Sequence, residues 1–167
     1  MKDLKEIVEP LIQWFRENKR DLPWRQTKDP YAVWVSEIML QQTRVEAVKP
    51  YYIRFLQTLP TVKDLANADE EVILKLWEGL GYYSRVRNMQ KAAMQIMEDF
   101  GGVFPANQKD LLSLKGIGPY TAGAVGSIAF GLPIPAVEIT NGSACTRCSA
   151  RFACATLPVS PIKLKVK

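Results

Sequence analysis

The chain contains no histidine, so imidazole bases, Ser-His-Asp triads and histidine-bearing zinc sites are excluded. Acid-base chemistry must come from carboxylates, Lys, Tyr or Cys. Two features carry such chemistry. Glu37 interrupts the apolar run Val33-Trp34-Val35-Ser36-Glu37-Ile38-Met39-Leu40. If that face is covered, the carboxyl is desolvated, which favours its protonated form and suits a general acid. Helical periodicity alone instead favours a Glu37 that faces water or caps a neighbouring loop. The second feature is Cys145-x2-Cys148-x5-Cys154, which holds all three cysteines of the chain, with Arg147 and Arg151 interleaved. Such clustering points to metal rather than a disulfide, and three thiolates without histidine suit an iron-sulfur cluster better than closed zinc. Unmetallated thiols are the alternative, because a fourth ligand is missing.

The stretch Leu114-Lys115-Gly116-Ile117-Gly118-Pro119-Tyr120-Thr121-Ala122-Gly123 could hold an anion. Asn107 can cap a short helix before it, and Pro119 can start a second helix after it. The glycines let successive amides point outward, and the following helix adds its partial positive N-terminus, so the turn suits a phosphate. This is a helix-hairpin-helix pattern. Further aromatic and basic groups could contact nucleic acid. Trp24 and Arg25 lie in a loop with Lys19 and Arg20, where Trp24 is either a partly buried anchor or a stacking platform. Tyr82-Tyr83-Ser84-Arg85-Val86-Arg87 sets an aromatic pair before two cations at a helix start. That arrangement can wedge a base stack while holding flanking phosphates, or it can be a Tyr packed beneath its own helix. Gln41 and Gln42 lie at an interhelical corner, where amides are ordinary loop residues unless a duplex lies alongside.

The elements that must position these groups read as helices throughout, with no convincing strand, so the predicted fold is all-α. Leu4, Ile7, Val8, Leu11, Ile12 and Phe15 form one stripe of a first helix, with Asp3 and Glu6 in capping-box positions and Pro10 as a kink or restart. Asp29-Pro30 reads as N-cap and N1 of the helix carrying Glu37, and Thr43 with Glu46 as a capping box for the next. Thr61 and Asp69 read as caps of two further helices, and Gly101-Gly102 as a helix stop. Apolar content of 47% and 23% charged residues fit a folded domain. No run approaches the ~18 apolar residues of a membrane helix, and no secretory signal is visible, so a soluble, intracellular protein is expected. A net charge of +5 favours a polyanionic partner.

Leu22-Pro23-Trp24-Arg25, Ser36-Glu37-Ile38-Met39-Leu40-Gln41-Gln42-Thr43, Gly79-Leu80-Gly81-Tyr82-Tyr83-Ser84-Arg85, the hairpin and the cysteine run together resemble the MutY family of adenine DNA glycosylases, over nearly all of residues 10–137. The resemblance implies a helix-hairpin-helix DNA glycosylase fold: residues 1–28 as an N-terminal helix and loop of the cluster-side lobe, 29–132 as a six-helix barrel with the hairpin at 108–130, 133–157 as a shortened cysteine cluster loop, and 158–167 as a basic tail. It implies hydrolysis of the N-glycosidic bond of adenine mispaired with 8-oxoguanine or guanine after base flipping, by a monomer acting on double-stranded DNA in the bacterial cytoplasm at the nucleoid. Glu37 then delivers a proton to the purine, Tyr120 lies beside a second carboxylate, and Gln42 and Tyr82 enter the base stack. Trp24 and Arg25 wall the adenine pocket, Arg85 contacts DNA, and Gly116 and Gly118 hold a phosphate. Cys145, Cys148 and Cys154 hold a 4Fe-4S cluster. Endonuclease III, a relative, has a nucleophilic lysine where this chain has Tyr120, so a monofunctional glycosylase rather than a lyase is implied.

The chain departs from that pattern after Val137. Glu138 stands where the family has its second, catalytic aspartate, and it also stands where the C-x6-C-x2-C-x5-C spacing of the family would put the first cluster cysteine. Set against the family pattern, the expectation is that a run of helix and the C-terminal lesion-recognition domain are missing. The expectation is a shortened member that keeps its DNA-facing barrel and whose turnover is strongly reduced or absent. The alternative is a non-catalytic DNA-binding module.

Overall fold

In the computed structural model, residues 5–136, 139–140 and 143–144 are described. Among them, eight α-helices follow in order: α1 Lys5–Asn18, α2 Pro30–Met39, α3 Val45–Thr58, α4 Val62–Asn67, α5 Glu70–Trp77, α6 Ser84–Asp99, α7 Gln108–Ser113 and α8 Pro119–Phe130. A 3-10 turn, Pro23–Arg25, precedes α2. Ile139–Thr140 and Ser143–Ala144 form a two-residue antiparallel pair, β1 and β2, the one departure from the expected absence of strands among the described residues. The fold is that of a helical domain.

Two helices are central. Every residue of α2 from Tyr31 to Met39 is buried, as is the α8 stretch Thr121 to Gly126, and the two pack against each other. A helix apolar all round belongs in the middle of a domain, covered on every side. Around this pair α3 packs on α2 and α5, α6 on α4 and α5, and α7 on α8. Trp34 stands edge-on to Phe104 at 5.3 Å, and Phe55 edge-on to Trp77 at 6.1 Å; these rings fill the largest volumes of the core.

Several local signals are realised. Asp29 accepts from the Ala32 amide at 3.0 Å with Pro30 opening α2, Thr61 and Asp64 form a reciprocal box, and Asn107 accepts from the Asp110 amide at 2.9 Å. Asp69 stands at the N-cap of α5 without a side-chain capping bond. The expected Thr43–Glu46 box does not form. Gln42 takes a left-handed conformation (φ 57°), which turns the Thr43 hydroxyl back to the Gln41 carbonyl, leaves Arg44 as N-cap and lets Glu46 pair with Lys49 at 2.8 Å. α1 runs through Pro10, yet its stripe is only partly covered among the described residues: Ile7, Val8 and Leu11 are exposed, while Ile12 and Phe15 are half-buried. Asp3 and the side chain of Glu6 lie outside the described residues.

Candidate active site

Glu37 is 6% exposed, which overturns the water-facing position that periodicity alone favours. The cause is the central place of α2, which leaves no solvent face; Ser36 and Thr121 of α8 are the other buried polar side chains among the described residues. Ser36 turns its hydroxyl onto the Val33 carbonyl of its own helix at 2.7 Å.

The hairpin joins α7 to α8. Gly116 has a φ of 77°, a conformation that favours glycine, and a Cβ there would also lie 3.0 Å from Cβ of Asn88. Gly118, by contrast, has φ −90° and ψ 177°, open to any residue, with nothing within 4 Å of where a Cβ would stand. Only one of the two glycines is therefore demanded by backbone shape; the other leaves the surface bare. The Ile117 amide bonds the Leu114 carbonyl at 3.1 Å and the Lys115 amide bonds the Gln95 side chain at 3.3 Å. The exposed amides of Gly116 and Gly118 have no acceptor among the described residues.

A cavity of about 100 Å³ links this turn to the helix of Glu37. Its lining includes Trp34 and Ile38 of α2, Gln41, Arg85 and Asn88 at the start of α6, and Gly116. Glu37 lies between Trp34 and Ile38 in the sequence and is not itself part of the lining. Sequence reasoning passed over Asn88 and Gln95, which seat the hairpin on α6; their spacing of seven residues on one helix face was the available signal.

Gln42 and Tyr82 are the only non-glycine residues with positive φ among the described residues, at 57° and 49°. Such conformations cost of order 1–3 kcal/mol each and tend to cluster at functional sites. Both side chains project into solvent, Tyr82 being 68% exposed. Of the two cations expected to hold phosphates here, one is tied to a carboxylate at the surface and the other turns inward. Arg87 pairs with Glu70 at 2.6 Å. Arg85 turns inward: Nη1 donates to the carbonyls of Ile38 and Gln41, and Nη2 to those of Leu80 and Gly81. Its guanidinium also lies 5.4 Å from the Trp77 ring and 5.7 Å from that of Tyr82. Burial lowers its pKa from the ordinary arginine value. Arg85, expected to contact DNA directly, thus has both terminal nitrogens engaged with main chain.

Trp24 is 7% exposed and packs edge-on to Tyr52 at 5.4 Å, so its ring is a core anchor rather than an open stacking platform. Arg25 donates to the Arg20 carbonyl at 3.0 Å and lies over Phe15. Tyr120, in the first turn of α8, is half-buried. One turn later, a Cβ on Gly123 would sit 2.3 Å from the carbonyl oxygen of Pro135, so only glycine lets residues 134–136 lie against α8 there. Ala136, buried at this contact, is two residues before Glu138. Glu138, Cys145, Cys148 and Cys154 lie outside the described residues. As a donor set the three cysteines are one short of the four that a 4Fe-4S cluster takes from cysteine, and the chain supplies no histidine to replace it. Among the described residues no group of three or more Cys, Asp or Glu could hold a metal ion, and no helix is long and apolar enough to cross a membrane.

A protein-family model described as HhH-GPD superfamily base excision DNA repair protein matches residues 35–151. The adenine DNA glycosylase of Rattus norvegicus is 49% identical over 137 residues, covering 77% of this chain and 27% of that protein. That of Homo sapiens is 48% identical over 130 residues, covering 72% and 24%. A Buchnera aphidicola adenine DNA glycosylase is 42% identical over 127 residues, covering 75% and 36%. The chain thus spans about a quarter to a third of the length of these relatives. Among solved structures, a thermostable thymine-DNA glycosylase superposes with a TM-score of 0.76 at 32% identity, covering 80% of this chain and 62% of that one. Endonuclease III in a DNA complex superposes at 0.68 with 23% identity, covering 83% and 65%, a likeness of fold. A family match running from the helix of Glu37 through the hairpin, over more than half of the chain, places it plainly: the protein belongs to the HhH-GPD superfamily of base excision DNA repair proteins.

Proposed function

We propose that this chain is a monofunctional DNA glycosylase that binds duplex DNA and releases adenine from a mispair with 8-oxoguanine or guanine. The observation that carries this reading is a carboxyl buried in the central helix, on the segment that shares a cleft with the hairpin. The exposed amides of Gly116 and Gly118, ahead of the N-terminus of α8, hold the phosphate beside an extruded nucleotide. Gln42 and Tyr82 enter the space that the base leaves.

Glu37 gives its proton to the purine ring, and the electron pair of the C1′–N9 bond leaves with adenine. The sugar develops oxocarbenium character, which a carboxylate on the opposite side stabilises. Water then forms the new bond to C1′ and passes its proton to a carboxylate. Glu138 is assigned that second role, beside Tyr120; the packing of Ala136 on Gly123, one turn from Tyr120, supports it. Its side chain is one methylene longer than the aspartate of the family, and a reacting group displaced by about 1 Å costs roughly 10²-fold in rate. Slow turnover follows. Tyr120 in place of a lysine supports hydrolysis without strand cleavage.

The test is chromatography of bases released from duplexes carrying A:8-oxoguanine, A:G or A:T. Adenine from the first two and none from the third supports the reading. Salt-dependent duplex binding with no base released from any of them would identify a non-catalytic DNA-binding module instead.

A further inference from the structure

We infer that Arg85 is a positioning residue that locks Gln42 and Tyr82, the two strained projecting side chains, at one fixed separation. The inference rests on the reading of those residues as the pair that enters the base stack. The geometry is nearly symmetrical. Gln41 supplies the carbonyl of the peptide that leads into Gln42, and Gly81 supplies that of the peptide that leads into Tyr82. One nitrogen of the planar guanidinium takes the first together with the Ile38 carbonyl at 3.0 Å; the other takes the second together with the Leu80 carbonyl, both at 3.1 Å.

Each anchored peptide plane fixes the ψ of the residue before the strained one, and so aims the side chain that follows. Neither turn has another long-range tie of this kind among the described residues: the Thr43 hydroxyl and the Trp77 indole each bond only within their own corner. The two corners lie 40 residues apart in the chain, Gln42 to Tyr82, and a rigid fork holds them in register without a covalent link. A lysine could not, because a single ammonium cannot span four carbonyls in two opposed pairs. The inward orientation also explains why an arginine sits in a basic, DNA-facing segment without offering its charge to the surface.

The test compares Arg85→Lys with the parent chain in two ways. In the first, binding to a mispaired duplex is measured against salt, with 2-aminopurine beside the mispair reporting unstacking. Positioning predicts an unstacking signal that falls together with affinity, the latter by about 10-fold, or about 1.4 kcal/mol. The slope of log affinity against log salt should stay unchanged in Arg85→Met, which removes the charge that Arg85→Lys keeps. A slope that falls by about 1 means that Arg85 contacts a phosphate directly and overturns the proposal.

In the second, urea midpoints are measured for Arg85→Lys and Arg85→Met, each in the parent chain and in a Gln42→Gly/Tyr82→Gly background. Glycine accepts positive φ freely, so there is less for the guanidinium to hold in place. The loss of midpoint caused by either substitution should shrink by at least about half in that background. An equal loss in both backgrounds overturns the proposal. This arm uses no DNA, so it decides the role of Arg85 even if the parent chain proves unable to bind a duplex, which would count against the functional reading alone.

Discussion

A Cβ built on Gly123 would lie 2.3 Å from the carbonyl oxygen of Pro135 and 3.1 Å from Cα of Ala136. The bare α-carbon of Gly123 therefore sets how closely the chain returns to α8 as it heads toward Glu138. Gly123→Ala must push residues 134–136 outward, because the obstructing atoms are backbone. The expected loss is about 1–3 kcal/mol of stability, read as a lower urea midpoint. Base release should fall further than that loss explains, when assayed at a temperature where the variant remains folded.

The two hairpin glycines should separate. Gly116→Ala forces a methyl into positive φ and against Asn88, and should destabilise by about 1–2 kcal/mol. Gly118→Ala meets open space at an ordinary backbone conformation and should leave the midpoint within about 0.5 kcal/mol. Its methyl stands over the bare amides, so duplex affinity should drop while stability does not. Thermal unfolding and duplex titration of both variants read this contrast.

Trp24→Ala should behave as a core truncation. With its ring packed on Tyr52, removal should cost about 3–5 kcal/mol, read by denaturant unfolding. A variant that keeps full stability and loses only substrate affinity would return Trp24 to the surface of a base pocket.

Alkaline pH should unfold the domain through its buried phenols. Burial first, then Asp29, pushes the Tyr52 hydroxyl up to about 12, and burial with Asp64 and Asp29 raises Tyr31 still further. Tyr31 donates to the Leu59 carbonyl at 2.9 Å. A phenol whose folded pKa exceeds its unfolded value contributes stability that is complete below about pH 10 and is lost as pH rises through the folded value. Urea midpoints should therefore hold up to about pH 10 and fall from there towards pH 12. Tyr52→Phe should flatten that decline.

Much of this arrangement is legible in the residues themselves. Asp29-Pro30, Thr61 with Asp64, and Asn107 announce their helices because a cap is a local event, decided within three or four residues. Thr43 misleads for the opposite reason: the left-handed turn at Gln42 is held by Arg85, more than forty residues away, and no local pattern reports it. Arg85 itself reads as a surface cation because burial of a guanidinium depends on four carbonyls converging from two corners. The burial of Glu37 is half visible, since Tyr31 to Leu40 is apolar all round, which marks a central helix. Which elements cover α2 depends on α3 and α8 packing against it, and that is a tertiary fact.

The second carboxylate invites a repair experiment. If Glu138 overreaches by one methylene, Glu138→Asp should raise the single-turnover rate of base release, by up to roughly 10²-fold. An unchanged or lower rate would remove Glu138 from the role assigned to it.

The central claim is that the buried carboxyl of Glu37 delivers the proton that frees the base. Single-turnover release of adenine from an A:8-oxoguanine duplex, with enzyme in excess, tests it most directly when the parent chain is run beside Glu37→Gln. The account predicts slow but measurable release by the parent and a rate lower by at least about 10²-fold in the variant, with duplex affinity retained. Equal rates from the two proteins, or a variant that fails only because it no longer binds DNA, would contradict it.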